Sequence, residues 1–466
     1  MFKKILIKYL GFIISLPIFI NFSLNFIGNP KSISFVNLKE FISSILLFTF
    51  LFTVGKSFKD ATNKKFTATF GIIAYFISFF IFESIFLFFI KDINLHNTFI
   101  YVNVFWMIFL IFKLNNKYLI LFNLSTYLIL RVFNSFYFLK FIKNKNIEGD
   151  VKDVFFLNTE KIYNESLFYS ISNPVMSGYP QFMSYIDAFL YKLSFYGESY
   201  SFMIPTTFVF LWLFILMFIE FEYSSENKIA LVLLFTSLIL NSQWLEFLFL
   251  SSLMSERIAS YLFLGLLINI NKVKNEKESL ILFSTFLFSF IYLTKQFFAL
   301  LLLVIFIYYL SNKNLRKYST FLLFAYFLRE LQHLFYFKNI PKDHHISQID
   351  LFDTALDLIL LRDLKINNIN LILQNLLKDK PVVYLIILFF ISYFCYYFIF
   401  KDFTNFNSAL LILSVLNFIF VFLLYISVWQ TMELESPIRY FYSFIPVYSI
   451  AIFFNLEKIQ NLFKNY

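Results

Sequence analysis

One cysteine, eight glycines and four histidines in 466 residues remove several kinds of chemistry at the outset. The lone Cys395 sits in an apolar run, which excludes a disulfide framework and any cysteine-based metal site. So little glycine leaves no loop to cradle a nucleotide phosphate, which argues against a nucleotide-driven pump. His344 and His345, with Asp343 and Asp350 nearby, match no strong ligand spacing and read as an exposed polar loop. Charge is scarce as well. Only 15% of residues are charged, too few to coat a soluble protein of this length, so lipid is the expected solvent.

What remains is apolar and basic. The chain is 59% hydrophobic and carries 73 phenylalanines, a usage that fits an AT-rich coding bias among interchangeable lipid-facing residues. The formal charge of +10 comes largely from lysines between apolar segments, which is how cytoplasmic loops of membrane proteins are built. No continuous basic face lies outside those loops, so nucleic acid is not expected as a partner.

Apolar segments recur from Ile5–Ile27 to Tyr440–Phe454, and counting them predicts an all-α integral membrane protein with about 14 transmembrane helices. The first segment follows Lys3 and Lys4 and precedes Pro30-Lys31 with no small-residue cleavage site, so it reads as an uncleaved span. Alternate short loops are lysine- and arginine-rich: Lys56 to Lys65, Lys113 and Lys117, Lys272 to Lys277, Lys313 to Lys317. That pattern predicts both termini in the cytoplasm. It also puts two long loops outside, residues 143–201 and 337–381.

Both outer loops are expected to carry amphipathic helices lying along the membrane interface. After Pro180, apolar residues at Phe182, Met183, Ile186, Phe189, Leu190 and Leu193 make a one-sided stripe. In the second loop the stretch Leu351–Leu364 has a wide apolar face. The organisation expected is then residues 1–117 as accessory helices, 118–336 as a core including the first outer loop, 337–381 as the second outer loop, and 382–466 as the last helices. No internal repeat is seen.

Ionisable groups near membrane depth are costly, so each needs a reason. Several gather at predicted outer helix ends: Asp150 and Asp153 in the first loop, Glu256-Arg257 below the mouth of a span, Lys295, and Glu435 with Arg439 before Tyr440. This layout suits group transfer from a membrane-anchored donor. A carboxylate, Asp153 or Asp150, can take the proton from an acceptor hydroxyl. Two cations, Lys295 and Arg439, can hold a phosphate leaving group. Glu83, Arg131 and Arg329-Glu330 lie inside apolar runs and read mainly as architectural pairs between helices.

The order of these segments resembles the GT-C superfamily of polyprenyl-phosphate-dependent glycosyltransferases, in its protein mannosyltransferase and aminoarabinose transferase branch. Tyr179-Pro180-Gln181 is similar to the segment that opens the family's second interfacial helix. Thr294-Lys295 before an apolar span resembles its Thr-Lys segment. Ser436-Pro437-Ile438-Arg439-Tyr440, with Pro446 beyond, resembles its late Arg-Tyr segment. Glu256 is the nearest equivalent of an acidic residue the family often has before the Thr-Lys segment, and Asp153 follows Lys152 where many members have an aromatic residue.

The resemblance implies a GT-C-like bundle and an inverting transfer of sugar from a polyprenyl-phosphate donor to an envelope lipid, glycan or protein. The site would face the outside of the cytoplasmic membrane. Asp153 or Asp150 would be the catalytic base, Lys295 and Arg439 would bind the donor phosphate, and Tyr179, Gln181, Glu256, Arg257, Glu435 and Tyr440 would line the site. No metal ligands are assigned; a divalent metal is left open as cofactor. Two other classes stay open: an envelope polysaccharide polymerase or ligase, and a multi-pass secondary transporter. The first wants paired arginines in outer loops, and the second wants matched halves with glycine-broken helices.

Overall fold

The computed structural model describes residues 8–28, 38–86, 102, 106, 108, 157–165, 167, 182–193, 203–242, 255–273, 277–293, 299–328, 331, 367–427 and 441–464. Among these about 90% are helical and none is in a strand, as an apolar chain with no period-two pattern requires. Among the described residues the α-helices in chain order are α1 Leu10–Gly28, α2 Leu38–Ala61, α3 Ala68–Phe86, α4 Leu157–Asn164 and α5 Phe182–Leu193. Then come α6 Met203–Glu220, α7 Ser225–Asn241, α8 Ser255–Val273, α9 Glu278–Ser289 and α10 Ala299–Ser311. The last four are α11 Asn367–Lys378, α12 Lys380–Phe400, α13 Asn405–Ser427 and α14 Ile445–Lys464.

Two of the described helices, α3 over Ala68–Ile85 and α12, are long and apolar enough to cross a membrane. Shorter apolar helices lie within α1, α6, α9 and α13. The expected spans between residues 98 and 140 fall almost wholly outside the described residues.

The chain divides into two compact units, each drawn from separated stretches. The first comprises Met1–Phe35, Phe221–Phe249 and Ser347–Tyr466. Here α1 lies on α7, and α14 packs against α7, α12 and α13. The approach of α1 to α7 is close because Gly11 has no side chain: a Cβ there would stand 2.6 Å from Asn227 Oδ1. Ser15 then donates to the Ala230 carbonyl at 3.0 Å.

The second unit comprises Val36–Glu220 and Leu250–Ile346. Its centre is α3, packed against α2, α6, α8 and α5. Side chains on every side of α3 are buried, including Phe70, Ile72, Ile73, Tyr75, Phe76 and Phe79. A helix apolar on all faces belongs in the middle of a bundle. The start of α3 is held by Glu220, the last residue of α6, whose carboxylate accepts the amides of Ala68 at 2.7 Å and Thr69 at 2.9 Å. Lys59, at the end of α2, donates to the same carboxylate at 3.2 Å. A carboxylate at a helix N-terminus satisfies orphan amides and complements the dipole.

In contrast, α12 keeps one apolar face uncovered. Ile387, Phe390, Ile391, Phe394, Tyr397 and Phe398 recur at helical spacing and are half exposed or more, with Phe394 at 71%. The helix opens with Pro381 in its first turn and closes at Lys401, whose φ of 58° is the left-handed stop. Its 21 residues span about 31 Å, close to the thickness of a bilayer's hydrocarbon core.

Candidate functional site

The second unit has two polar poles joined by α3 and α8. One is the Glu220 cluster at the start of α3, where Asn269 near the end of α8 also accepts the Thr67 amide at 3.4 Å and donates to Ser284 at 3.1 Å. The other lies near the end of α3 and the start of α8. There Glu83 is fully buried and accepts the Tyr185 hydroxyl at 2.9 Å and the Leu167 amide at 3.0 Å. On the same α5 helix as Tyr185, Asp187 accepts from Arg257 of α8 at 2.8 Å.

The Asp187–Arg257 pair has almost no solvent contact, with side-chain exposures of 1% and 0%. The guanidinium also lies over the Phe210 ring of α6 at 5.3 Å. Arg holds such a place better than Lys because its planar fork stacks on rings and bonds carboxylates together. Burial pushes the Asp187 carboxyl above the usual carboxylate range, and the guanidinium pulls it part of the way back. One carboxylate oxygen, Oδ2, is buried and accepts no hydrogen bond. Chemically the pair offers a fixed cation and an acceptor in a low-dielectric setting, where charge on a ligand is felt most strongly.

The predicted surface helix after Pro180 therefore differs in one respect. It forms, beginning at Phe182, but every residue from Phe182 to Leu190 is buried, the polar ones included. The polar face does not meet water because Ser184, Tyr185 and Asp187 are taken up inside the bundle. Sequence reasoning missed Asp187, which sits on the polar side at the edge of the apolar stripe; its only local signal is a carboxylate bordering that stripe.

A second polar cluster belongs to the first unit. Asp379, which opens α12, accepts the Ser242 hydroxyl at 2.5 Å and the Tyr442 hydroxyl at 2.8 Å, both on Oδ2. Asp379 also passed unflagged in the sequence, since an Asp before Lys-Pro reads as a helix cap.

Of the residues singled out from the sequence, Arg257 lies at the heart of the buried pole and Glu256 falls in the first turn of α8. Asp150, Asp153, Tyr179, Gln181, Lys295, Glu435, Arg439 and Tyr440 lie outside the described residues, as do Arg131, Arg329 and the His344-His345 pair. Among the described residues no group of three His, Cys, Asp or Glu side chains could hold a metal ion. Set against family models, curated proteins and solved structures, the chain matches none.

Proposed function

We propose that this chain is a multi-pass membrane glycosyltransferase. It moves a sugar from a polyprenyl-phosphate donor to an envelope lipid, glycan or protein at the outer face of the cytoplasmic membrane. The observation that carries the reading is the Asp187–Arg257 pair. Two segments named by the GT-C resemblance, the helix after Tyr179-Pro180-Gln181 and the Ser255-Glu256-Arg257 turn, meet there through a buried ion pair. An ion pair inside an apolar bundle is costly, and a charge at that depth is a functional-site hypothesis in its own right.

Two further findings support the membrane setting. The uncovered face of α12 is a broad apolar stripe of membrane length, which water would not tolerate and lipid accepts. Helix ends that the lysine pattern assigns to one side also meet: Lys59, Glu220, Thr67 and Asn269 gather at one pole of the second unit.

The transfer is a single displacement. Asp153 or Asp150 removes the proton from the acceptor hydroxyl as its oxygen bonds the anomeric carbon. The bond from that carbon to the carrier phosphate breaks, and the phosphate leaves with the electron pair. Lys295 and Arg439 stabilise the negative charge that builds on it. Attack from the face opposite the phosphate inverts the anomeric centre. Arg257 and Asp187 hold the loop helix in place.

The test is transfer of radiolabelled sugar from an extracted polyprenyl-phosphate donor pool in membranes containing the wild type, Asp150→Asn, Asp153→Asn or Lys295→Ala. Label should reach an acceptor in the wild type and be lost in one aspartate variant and in the lysine variant. Absence of transfer from every donor pool would overturn the reading and bring forward the transporter, for which the buried Glu83 and its Tyr185 partner would be the first residues to examine.

A further inference from the structure

A 3-10 helix, Arg316–Leu323, follows α10 in the second unit and runs on in α-helical turns to Leu328. Eight residues is long for this conformation, which has about 3.0 residues per turn and eclipses side chains three apart. The residues follow that period. The segment packs on α9 and α10 and buries Ser319, Leu322, Ala325 and Leu328, and the Ala325 amide donates to Ser289 Oγ at 3.2 Å. The two remaining ridges face outward and are apolar. Phe321, Phe324 and Phe327 form one, Leu323 and Tyr326 the other, each 38–57% exposed.

Cations stand at the head of these ridges. Lys313, Arg316 and Lys317 are all exposed. Lys317 pairs with Glu278 at the start of α9. Arg316 uses its Nε on the Leu310 carbonyl at 2.9 Å, and among the described residues no carboxylate pairs with Arg316 or Lys313. Lys272 in the last turn of α8 and Lys277 before α9 add exposed positive charge at neighbouring helix ends. An apolar double ridge headed by cations that lack a carboxylate fits an amphiphile, with its phosphate on the cations and its hydrocarbon on the ridges. From Arg316 to Phe324 the chain rises about 16 Å at about 2.0 Å per residue, roughly the depth of one leaflet. A zwitterionic headgroup would bring an ammonium up to the same cations, so an anionic headgroup fits better.

We propose that this segment binds an anionic phospholipid. Lys313 and Arg316 hold its phosphate, and its acyl chains lie along the ridges of Phe321 and Leu323. Every group involved is exposed and belongs to the second unit. The site needs the membrane setting of the proposed function but not the transferase activity, whose failure would leave it standing.

The full-length protein in a neutral detergent tests it, by native mass spectrometry and by thermal unfolding. The probes are dioleoyl phosphatidylglycerol, dioleoyl phosphatidylcholine and inorganic phosphate. Phosphatidylglycerol should bind and raise the unfolding midpoint by about 2–5 °C, while the other two leave it within about 1 °C. Lys313→Gln with Arg316→Gln should weaken phosphatidylglycerol binding about tenfold to thirtyfold, the loss expected for two charges at a lipid surface. Phe321→Ser should weaken it several-fold and keep the preference between the two lipids. Equal shifts from the two lipids would overturn the inference, as would a double variant that binds phosphatidylglycerol as tightly as the wild type. A shift reproduced by inorganic phosphate would overturn it too, by making this a site for free anions. Should the double variant fail to fold, Lys313→Glu takes its place, and undiminished binding there overturns the inference.

Discussion

Arg257 donates a 2.8 Å hydrogen bond to Asp187 across seventy positions of chain, and neither side chain has more than 1% of its surface exposed. Such a pair ties α5 to α8 by a contact that is strong only while both partners are present. Removing one leaves a buried, uncompensated charge, at a cost of about 3–5 kcal/mol. Replacing both with apolar residues of similar size removes the penalty on each side.

Arg257→Met alone should therefore lower the thermal unfolding midpoint of the detergent-solubilised protein markedly. Asp187→Leu combined with Arg257→Met should recover most of that loss. If the double variant unfolds as readily as the single one, the pair is not the coupling that joins these helices. Transfer activity should stay low in the double variant even where stability returns, because the guanidinium beside the loop helix is gone.

Gly55 and Gly71 bring α2 and α3 to backbone contact. A Cβ on Gly55 would lie 2.3 Å from the Ala68 carbonyl oxygen, and one on Gly71 would lie 2.9 Å from that of Gly55. Backbone cannot step aside as a side chain can. Gly55→Ala should cost about 1–3 kcal/mol through forced separation of the helices. Gly265→Ala meets mainly the tip of Ile73, at 2.7 Å, and should cost less. Unfolding midpoints of the two variants, compared in one detergent, check the order.

The uncovered stripe on α12 makes a directional prediction about its surroundings. Phe394→Arg puts a charge near the middle of that stripe, where the insertion penalty is about 2.5–3.5 kcal/mol in lipid. The variant should partition away from the alkali-resistant membrane fraction or be degraded. A soluble setting predicts the reverse, since Phe394→Arg would then improve solubility.

Glu226, in the first turn of α7, is held down to about 2 by its own backbone amide and by Lys8, 3.0 Å away. Its folded-state value lies below the ordinary 4.5, so its contribution is complete above that pH and fades as pH falls towards about 2. The stability difference between wild type and Glu226→Gln should shrink across that window. Because the pair is partly exposed, the difference at neutral pH should be small and reduced by salt.

Much of the helical framework was legible without coordinates because it follows from local rules. Long apolar runs favour helices, Pro180 precedes the start of one, and lysine-rich loops mark ends. The helix at Phe182–Leu193 formed where its periodicity placed it. Its burial on all sides was not legible. The partner of its polar face is Arg257, seventy positions away, and no local pattern encodes a contact at that separation. Asp379 shows the same limit from the other direction. Read locally it is a helix cap, yet its side chain leaves its own helix for Ser242 and Tyr442, brought to it by packing of α7, α12 and α14. The division into two units, each assembled from separated stretches, has the same origin. By itself the sequence determined that the described chain is helical without strands and where charge falls along it, since those depend on neighbours along the chain. Tertiary structure alone decided which carboxylates are paired, shielded or left with an unused oxygen, since that depends on side chains far apart in sequence competing for the same few buried donors.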